Sequence, residues 1–330
     1  LPAQLERVHG WVVLGQFAKG GLSLLYEVSH GETRQRALMK ILKPEYRGAD
    51  LHAERMLAEG KLLHKCAGNP YFCNVYDVGE HPRFGPYVIM ELLHGSTLAE
   101  MIRKENARGR TFTVPIAVKL CITIAEALQT AHDQGIIHRD LKPDNIFIVQ
   151  HANGDIEVKI IDWGAAKHDL SPRSTHVAPV VTALYMAPEQ ASGAEHVTAA
   201  ADMYALGLVL LQLVWEHPFA SKLVGGQLRL LDLIGMHVHE PLPVPPLHLV
   251  PPGLTKIAFR ASAKKARDRY PSMSELADEL RAFLTTPWKL EERPVEQNVP
   301  FRPTQLNARA LEAGKTAPAP PVRIDAPAEP

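Results

Sequence analysis

The segment Ile137–Phe147 reads Ile-His-Arg-Asp-Leu-Lys-Pro-Asp-Asn-Ile-Phe and constrains the chain more than any other stretch. Asp140 can accept a proton from an attacking hydroxyl, and Lys142 is a compact cation that suits a phosphate oxygen. Asn145 offers an amide oxygen, a ligand type that Mg²⁺ accepts. Pro143 stiffens the turn, and apolar residues lie on both sides of it. The segment therefore predicts a rigid polar loop held by a core, as a catalytic loop requires.

The overall composition excludes several classes of protein. The 330 residues include 36 Lys and Arg and 36 Asp and Glu, and this zero net charge argues against a nucleic-acid binder. Hydrophobic residues form 46% of the chain, which is enough for a large core. The cysteines Cys66, Cys73 and Cys121 are few and odd in number, so they predict reduced thiols rather than disulfides. His64 and His81 lie near two of them, but the spacing matches no common zinc finger.

The sequence predicts neither a membrane span nor a leader. The longest apolar run, Ala205–Trp215, contains Gln212 and is too short to cross a bilayer. The residues after Leu1 do not resemble a signal peptide, so we expect a cytoplasmic chain of one large or two ordinary domains. Residues 285–330 are rich in Pro and Ala and predict a disordered tail with one short helix near Thr304–Ala313.

Residue patterns predict the main strands and helices. Strands are expected on both sides of a glycine turn within Val8–Val28, and at Arg36–Leu42, Asn74–Glu80 and Tyr87–Leu93, with a turn at His81–Pro86. Helices are expected at Asp50–Lys65, Val114–His132, Asp202–Leu213 and Ser274–Leu284, the third of them buried on all sides. A hairpin over Ile148–Ile161 should turn at Asn153-Gly154.

The order of the motifs resembles that of protein kinases. His-Arg-Asp at 138–140, with Lys142 and Asn145 in phase, resembles the kinase catalytic loop. Asp-Trp-Gly at 162–164 is similar to Asp-Phe-Gly, and Ala-Pro-Glu at 187–189 is similar to the end of the activation segment. The bacterial eukaryotic-like, or Hanks-type, serine/threonine branch of the family is resembled by three segments, Gly-Gly-Leu-Ser, Tyr-Asp-Val-Gly-Glu and Tyr-Met-Ala-Pro-Glu-Gln.

The resemblance covers roughly Val8–Leu284 and implies a fold. That fold is α+β and bilobal, with a small β-rich N-lobe that carries one main helix and a larger helical C-lobe. The implied limits are about 8–93 for the N-lobe and about 94–284 for the C-lobe, with ATP in the cleft between them. The resemblance also gives each loop residue a role. Asp140 would deprotonate the acceptor hydroxyl and Lys142 would steady the phosphoryl group, while Asn145 and Asp162 would hold Mg²⁺, or Mn²⁺ as an alternative.

The resemblance implies a nucleotide-binding set in the N-lobe. Lys40 would bind the α- and β-phosphates and be held by Glu59, with Glu54 as the rival partner. The glycine turn matches the family motif only in the middle, because Ala18 and Ser23 replace its first and third glycines. The residues expected to contact ATP are Phe17, Gly20, Leu25, Leu38, Lys40, Glu59, Met90, Glu91, Leu93, Phe147 and Asp162.

The resemblance further implies serine or threonine acceptors on proteins, and autophosphorylation through self-association. Lys142, together with Thr182 downstream, is typical of that branch. Candidate phosphosites are Ser171, Ser174, Thr175 and Thr182. We expect phosphate on one of the first three to pair with Arg139. Arg269 should pair with Glu189, and Asp202 should hold the backbone of the catalytic loop.

Two other functions stay open on the sequence. Ala18, Ser23 and Leu38 occupy positions where the family has small residues or bare backbone, which favours a pseudokinase or scaffold with weak or no ATP turnover. The second alternative is a kinase-like small-molecule phosphotransferase. The Ala-Pro-Glu motif at 187–189 and Arg269 argue against it, because that platform serves polypeptide acceptors.

Overall fold

The computed structural model describes residues 6–47, 50–151, 156–163, 183–193, 197–219 and 230–290. Within these residues, the first compact unit consists of those up to His64 together with Asn74–Leu92. The second consists of Lys65–Cys73 together with those from Leu93 onward. The segment Lys65–Cys73 thus belongs to the second unit, although the sequence placed all of 8–93 in one lobe. The lobe limits stay a prediction.

The first unit is built on an antiparallel sheet of six strands. They are β1 Arg7–Val8, β2 Trp11–Lys19, β3 Ser23–His30, β4 Arg36–Leu42, β5 Val75–His81 and β6 Gly85–Glu91, in the order β1-β2-β3-β4-β6-β5. Side chains alternate between the faces of a strand, and Ala37, Met39 and Ile41 of β4 are fully buried in the core of this unit. Leu38 and Lys40 therefore share the opposite face of the sheet.

One helix, α1 (Asp50–Lys65), packs closely against this sheet. Gly60 allows the approach, because a Cβ atom there would lie 2.8 Å from a methyl group of Val88 and 3.0 Å from one of Val78. Val78 belongs to β5 and Val88 to β6. This close packing holds Glu59, the residue before Gly60, near the sheet.

The second unit contains a small sheet and, in its described residues, seven helices. The strands β7 Gly95–Thr97, β8 Ile146–Gln150 and β9 Ile156–Ile160 pair antiparallel in that order. The helices are α2 Leu98–Ala107, α3 Val114–His132, α4 Pro188–Ala191, α5 Ala200–Val214, α6 Leu230–His239, α7 Pro252–Ala261 and α8 Met273–Thr285. Short 3-10 turns occupy Pro44–Tyr46 in the first unit, and Pro143–Asn145 and Ala266–Asp268 in the second.

Helices α3 and α5 form the centre of the second unit. Nearly every residue of α5 is buried, as its continuous apolar sequence predicts. Among the described residues, α3 is the one helix long and apolar enough to span a bilayer, and 56% of that stretch is buried inside the protein. Its buried side packs against α5, α8 and β9, which is the pattern of a core helix.

Several predicted bounds are confirmed by the structure. The limits of β4, α1 and α3 are those read from the sequence, and α5 extends the predicted buried helix to Ala200–Val214. The turn predicted at His81–Pro86 is shorter, because His81 and Gly85 are already paired in the sheet. Strand β8 begins at Ile146 rather than Ile148, because Ile146 pairs with Ile160.

Several other predictions fall outside the described residues. They are the turn at Asn153-Gly154, the phosphosites Ser171, Ser174, Thr175 and Thr182, and the tail beyond residue 290.

Candidate active site

The loop between α3 and β8 brings the three predicted catalytic residues together. Lys142 Nζ donates to Asp140 Oδ2 at 2.9 Å. Asn145 Nδ2 donates to the Asp140 carbonyl at 2.8 Å and lies 3.2 Å from Oδ2 of the same residue. Asp140 and Asn145 are only 6% and 4% exposed, so these charged and polar groups are held in one fixed arrangement.

Asp202, at the start of α5, binds the backbone of this loop. Its carboxylate accepts hydrogen bonds from the amide of Arg139 at 2.8 Å and the amide of His138 at 2.9 Å. The same carboxylate lies 2.8 Å from Nε2 of His132 in α3. These contacts confirm the structural role predicted for Asp202 and add His132, which the sequence did not single out.

His138 joins the loop to the segment that follows β9. Its Nδ1 accepts a hydrogen bond from the Asp140 amide at 3.2 Å, so the ring proton lies on Nε2. Nε2 in turn donates to the Ile161 carbonyl at 3.1 Å. The amide of Ile161 donates to the Asn145 carbonyl at 2.9 Å, which places the two predicted metal ligands, Asn145 and Asp162, on adjoining segments.

Asp162 and Trp163 have opposite environments. Asp162 is exposed and adopts a left-handed backbone with φ 54°, which is uncommon for a residue other than glycine. Trp163 is fully buried, with its ring centroid 4.4 Å from that of Phe72 and 4.9 Å from that of His138. Its indole N–H donates to the Ile160 carbonyl at 2.9 Å, so the residue is a fixed aromatic plug beside the exposed carboxylate.

In the first unit, Lys40 pairs with Glu59. Lys40 Nζ lies 3.4 Å from Glu59 Oε2, and the two side chains are 17% and 16% exposed. Glu54, the rival partner, is exposed on the same helix. The pair is shielded from solvent more than an ordinary surface ion pair, so its members restrain one another.

The remaining residues predicted to contact ATP occupy several positions of the first unit. Phe17 is 52% exposed on β2. Gly20 lies in the turn that follows, where its amide donates to the Ser23 carbonyl at 2.8 Å. Leu25 is paired with Lys40 in the sheet register, and Leu38 is paired with Met90.

Glu91, another residue predicted to contact ATP, is bound to Asn74 through its backbone. Its N–H donates to the Asn74 carbonyl at 2.8 Å. The Glu91 carboxylate also accepts from the Asn74 side chain at 3.1 Å. In the second unit, Leu93 and Phe147 are half-buried.

The Ala187–Gln190 segment, called here the platform, is anchored by a buried ion pair. Arg269 donates to Glu189 through Nη1 at 2.7 Å and through Nη2 at 2.8 Å, as predicted. Arg269 also donates to the Ala200 carbonyl at 2.6 Å. The Arg269 charge also acts on Lys264. The pKa of Lys264 is lowered to about 8, mainly by burial and secondly by the positive charge of the Arg269 guanidinium.

Two buried histidines lie beside the platform. His217 Nε2 donates to the Leu184 carbonyl at 2.9 Å, and its Nδ1 accepts from the amide of Phe219 at 3.2 Å. The Nδ1 atom of His237 lies 2.9 Å from the hydroxyl of Tyr204. Burial lowers the pKa of His217 to about 4 and that of His237 to about 3, so both rings are neutral at physiological pH.

A family model described as "Protein kinase domain" matches residues 11–280, which is most of the chain. The chain belongs to the protein kinase family. The predicted α+β kinase fold is therefore confirmed. The solved structure of the PknI kinase domain of Mycobacterium tuberculosis has the same fold, with a TM-score of 0.62 and 23% sequence identity. The match covers 86% of this chain and 99% of that one.

Two curated relatives of this chain are bacterial kinases. The serine/threonine-protein kinase Pkn1 of Myxococcus xanthus is 33% identical over 276 residues, which are 82% of this chain and 37% of Pkn1. The serine/threonine-protein kinase PknH of Mycobacterium tuberculosis is 30% identical over 331 residues, which are 97% of this chain and 49% of PknH. The chain thus spans less than half the length of these relatives.

Proposed function

We propose that this kinase domain transfers the γ-phosphate of ATP to serine or threonine hydroxyls of proteins, including its own. The observation that carries the proposal is the set formed by Asp140, Lys142 and Asn145, joined by hydrogen bonds of 2.8 to 3.2 Å in one largely buried loop. An acid, a cation and an amide held at these distances suit the activation of a hydroxyl beside a phosphate.

The proton of the acceptor hydroxyl would pass to Asp140. Asn145 holds this carboxylate through its amide nitrogen, and the hydrogen bond from Lys142 fixes its orientation. The ammonium of Lys142 would also stabilise negative charge as it spreads over the phosphoryl oxygens. The chain contributes mainly position and electrostatics, so small displacements of these groups should be costly.

The donor set of the second unit fits a hard divalent cation. Asn145 and Asp162 supply amide and carboxylate oxygens, which are ligands that Mg²⁺ and Mn²⁺ prefer. In the described part of the chain, no group of three or more His, Cys, Asp or Glu side chains is arranged as a metal site. Two protein ligands suit an ion that takes its other ligands from phosphates and water, and such an ion would neutralise phosphate charge.

The nucleotide-binding roles are proposed residue by residue. The Lys40 ammonium, restrained by Glu59, would bind the α- and β-phosphates. Leu38 and Met90, neighbours across the sheet, would contact the adenine ring. Phe17, Gly20, Leu25, Glu91, Leu93 and Phe147 complete the proposed set. Because the reaction consumes ATP, we propose a cytoplasmic location for the domain.

Radiolabelled ATP with Mg²⁺ tests this function when protein and small-molecule acceptors are offered side by side. The wild-type domain should label itself and a general protein acceptor on serine or threonine, whereas Lys40→Met and Asp162→Ala should not. Nucleotide binding without transfer in the wild type would favour the pseudokinase alternative. Label on metabolites but never on protein would favour the small-molecule phosphotransferase.

A further inference from the structure

The peptide group immediately before Asp140 is fixed at both ends by side chains. Its carbonyl, which belongs to Arg139, accepts a hydrogen bond from Nε2 of Gln190 at 2.8 Å. Its N–H, which belongs to Asp140, donates to Nδ1 of His138 at 3.2 Å. The orientation of this peptide sets the direction in which the Asp140 side chain leaves the backbone.

This peptide needs an external restraint because its backbone conformation is uncommon. Arg139 has φ 63°, in the left-handed region that residues other than glycine rarely adopt. Such a conformation is unfavourable and persists only where surrounding contacts stabilise it. The bond from Gln190 is one of the contacts that hold it, together with the bond from the Arg139 amide to Asp202 at 2.8 Å.

Gln190 uses both ends of its side-chain amide. Besides donating to Arg139, it accepts a hydrogen bond through Oε1 from the amide of Ala187 at 3.0 Å. The residue is only 7% exposed. A carbonyl on one side and an N–H on the other require a group that both donates and accepts, which the amide of Gln supplies and a carboxylate does not.

The other end of this contact is rigid. Gln190 lies in α4, and the adjacent Glu189 is held by the buried guanidinium of Arg269. Arg269 is bonded to the Ala200 carbonyl at the start of α5, the helix that also carries Asp202. The platform and the support of the catalytic loop are therefore anchored to the same helix.

We propose that Gln190 is a positioning residue for phosphate transfer, because its amide sets the Arg139–Asp140 peptide relative to the platform. This inference rests on the proposed function, since it needs Asp140 to accept the proton. Gln190 itself would touch neither substrate. Its loss should misplace the Asp140 carboxylate and lower kcat, while nucleotide binding stays intact.

The test compares Gln190→Glu and Gln190→Met with the wild type. Gln190→Glu keeps the shape and the acceptor for Ala187 but sets a carboxylate against the Arg139 carbonyl. Gln190→Met keeps the size and removes both bonds without introducing a charge. We expect kcat to fall roughly 10- to 100-fold in both variants, with the KM for ATP within about two-fold of wild type.

The pH profile separates positioning from general damage. When the new carboxyl of Gln190→Glu is protonated, it can again donate to the Arg139 carbonyl. Burial at this position should raise the pKa of the new carboxyl above the ordinary glutamate value of about 4.3. The kcat of this variant relative to wild type should therefore rise as the pH is lowered from about 8 to about 5, while the ratio for Gln190→Met stays flat. A kcat equal to that of wild type in both variants would overturn the inference, as would a flat ratio for both.

Gln134→Glu is the matched control. The Gln134 amide also donates to a backbone carbonyl, that of Thr130 at 3.2 Å, and its oxygen accepts from Cys66. Neither Thr130 nor Cys66 belongs to the catalytic loop. Hydrogen exchange gives a second readout that needs no turnover. Amides of 138–141 should exchange faster in both Gln190 variants than in wild type or the control, and equal exchange would overturn the inference. An inactive wild type would contradict the proposed function, and exchange would still show whether Gln190 positions the loop.

Discussion

Arg269 binds Glu189 through two parallel hydrogen bonds, of 2.7 and 2.8 Å, and its side chain is completely buried. Removing one member would leave an uncompensated charge inside the protein, which costs about 3–5 kcal/mol. Arg269→Ala should therefore lower the free energy of unfolding by about that amount, as measured by urea denaturation. Arg269→Lys should also destabilise, because an ammonium cannot make both bonds.

The exposed pair of Arg281 with Glu126 is the matched control for this prediction. Its two side chains are 47% and 38% exposed, so Arg281→Ala should cost less than about 1 kcal/mol. Equal losses for Arg269→Ala and Arg281→Ala would contradict the importance assigned to the buried pair.

Stability should fall in acid because of His217. Burial lowers the pKa of this residue from 6.5 to about 4, so between these values the unfolded chain binds a proton that the folded chain does not. Its contribution is present above the unfolded value and is lost, at about 1.4 kcal/mol per pH unit, as the pH falls. His217→Gln keeps a donor for the Leu184 carbonyl and removes the titration.

Urea denaturation of both proteins between about pH 7 and pH 4.5 checks this contribution, because the difference between the two curves isolates His217. The wild type should lose stability faster than His217→Gln as the pH is lowered. Parallel curves would show that the ring is not buried in its neutral form.

Trp163 should tolerate phenylalanine but not alanine. Trp163→Phe keeps an aromatic ring between Phe72 and His138 and loses the bond to the Ile160 carbonyl, at a cost of about 1–2 kcal/mol. Trp163→Ala leaves a cavity and should cost about 3–5 kcal/mol. In the radiolabelled-ATP assay, we expect Trp163→Phe to retain phosphate transfer within a few-fold of wild type. A complete loss of transfer with intact folding would mean that the indole has a more direct role.

Because Lys40 pairs with Glu59, we expect kcat/KM for ATP to depend on Glu59 more than on Glu54 of the same helix. Glu59→Gln removes the charge beside Lys40, and kcat/KM for ATP should fall by roughly 10- to 100-fold, since a charge-assisted bond contributes about 1.5–3 kcal/mol. Glu54→Gln, on the exposed side of α1, should change it by less than two-fold. Steady-state kinetics with varied ATP measures both, and similar values would contradict the pairing.

Local sequence patterns were sufficient for several of the strands and helices. The alternation in Arg36–Leu42 and the helical spacing in Asp50–Lys65 and Val114–His132 predict bounds that the structure confirms. Short-range periodicity specifies which face of an element is buried, and here it agrees with the fold. The family motif also led to Asp202 and to the pair of Arg269 with Glu189.

Contacts between distant polar residues could not be read from the same patterns. Gln190 is bonded to a carbonyl 51 residues away, and His132 to a carboxylate 70 residues away. Neither residue has a periodicity or spacing that indicates its partner, because both bonds depend on how helices pack. The shortened turn before Gly85 was missed for a related reason, since pairing across the strands decides where the turn begins.

The central claim is that Asp140 acts in the chemical step, and single-turnover phosphate transfer measures this most directly. Wild type and Asp140→Asn would be preloaded with labelled ATP and Mg²⁺, with nucleotide affinity measured on the same samples. We predict affinities within about two-fold of each other and a transfer rate at least 100-fold lower in Asp140→Asn. Equal transfer rates in the two proteins would contradict the account.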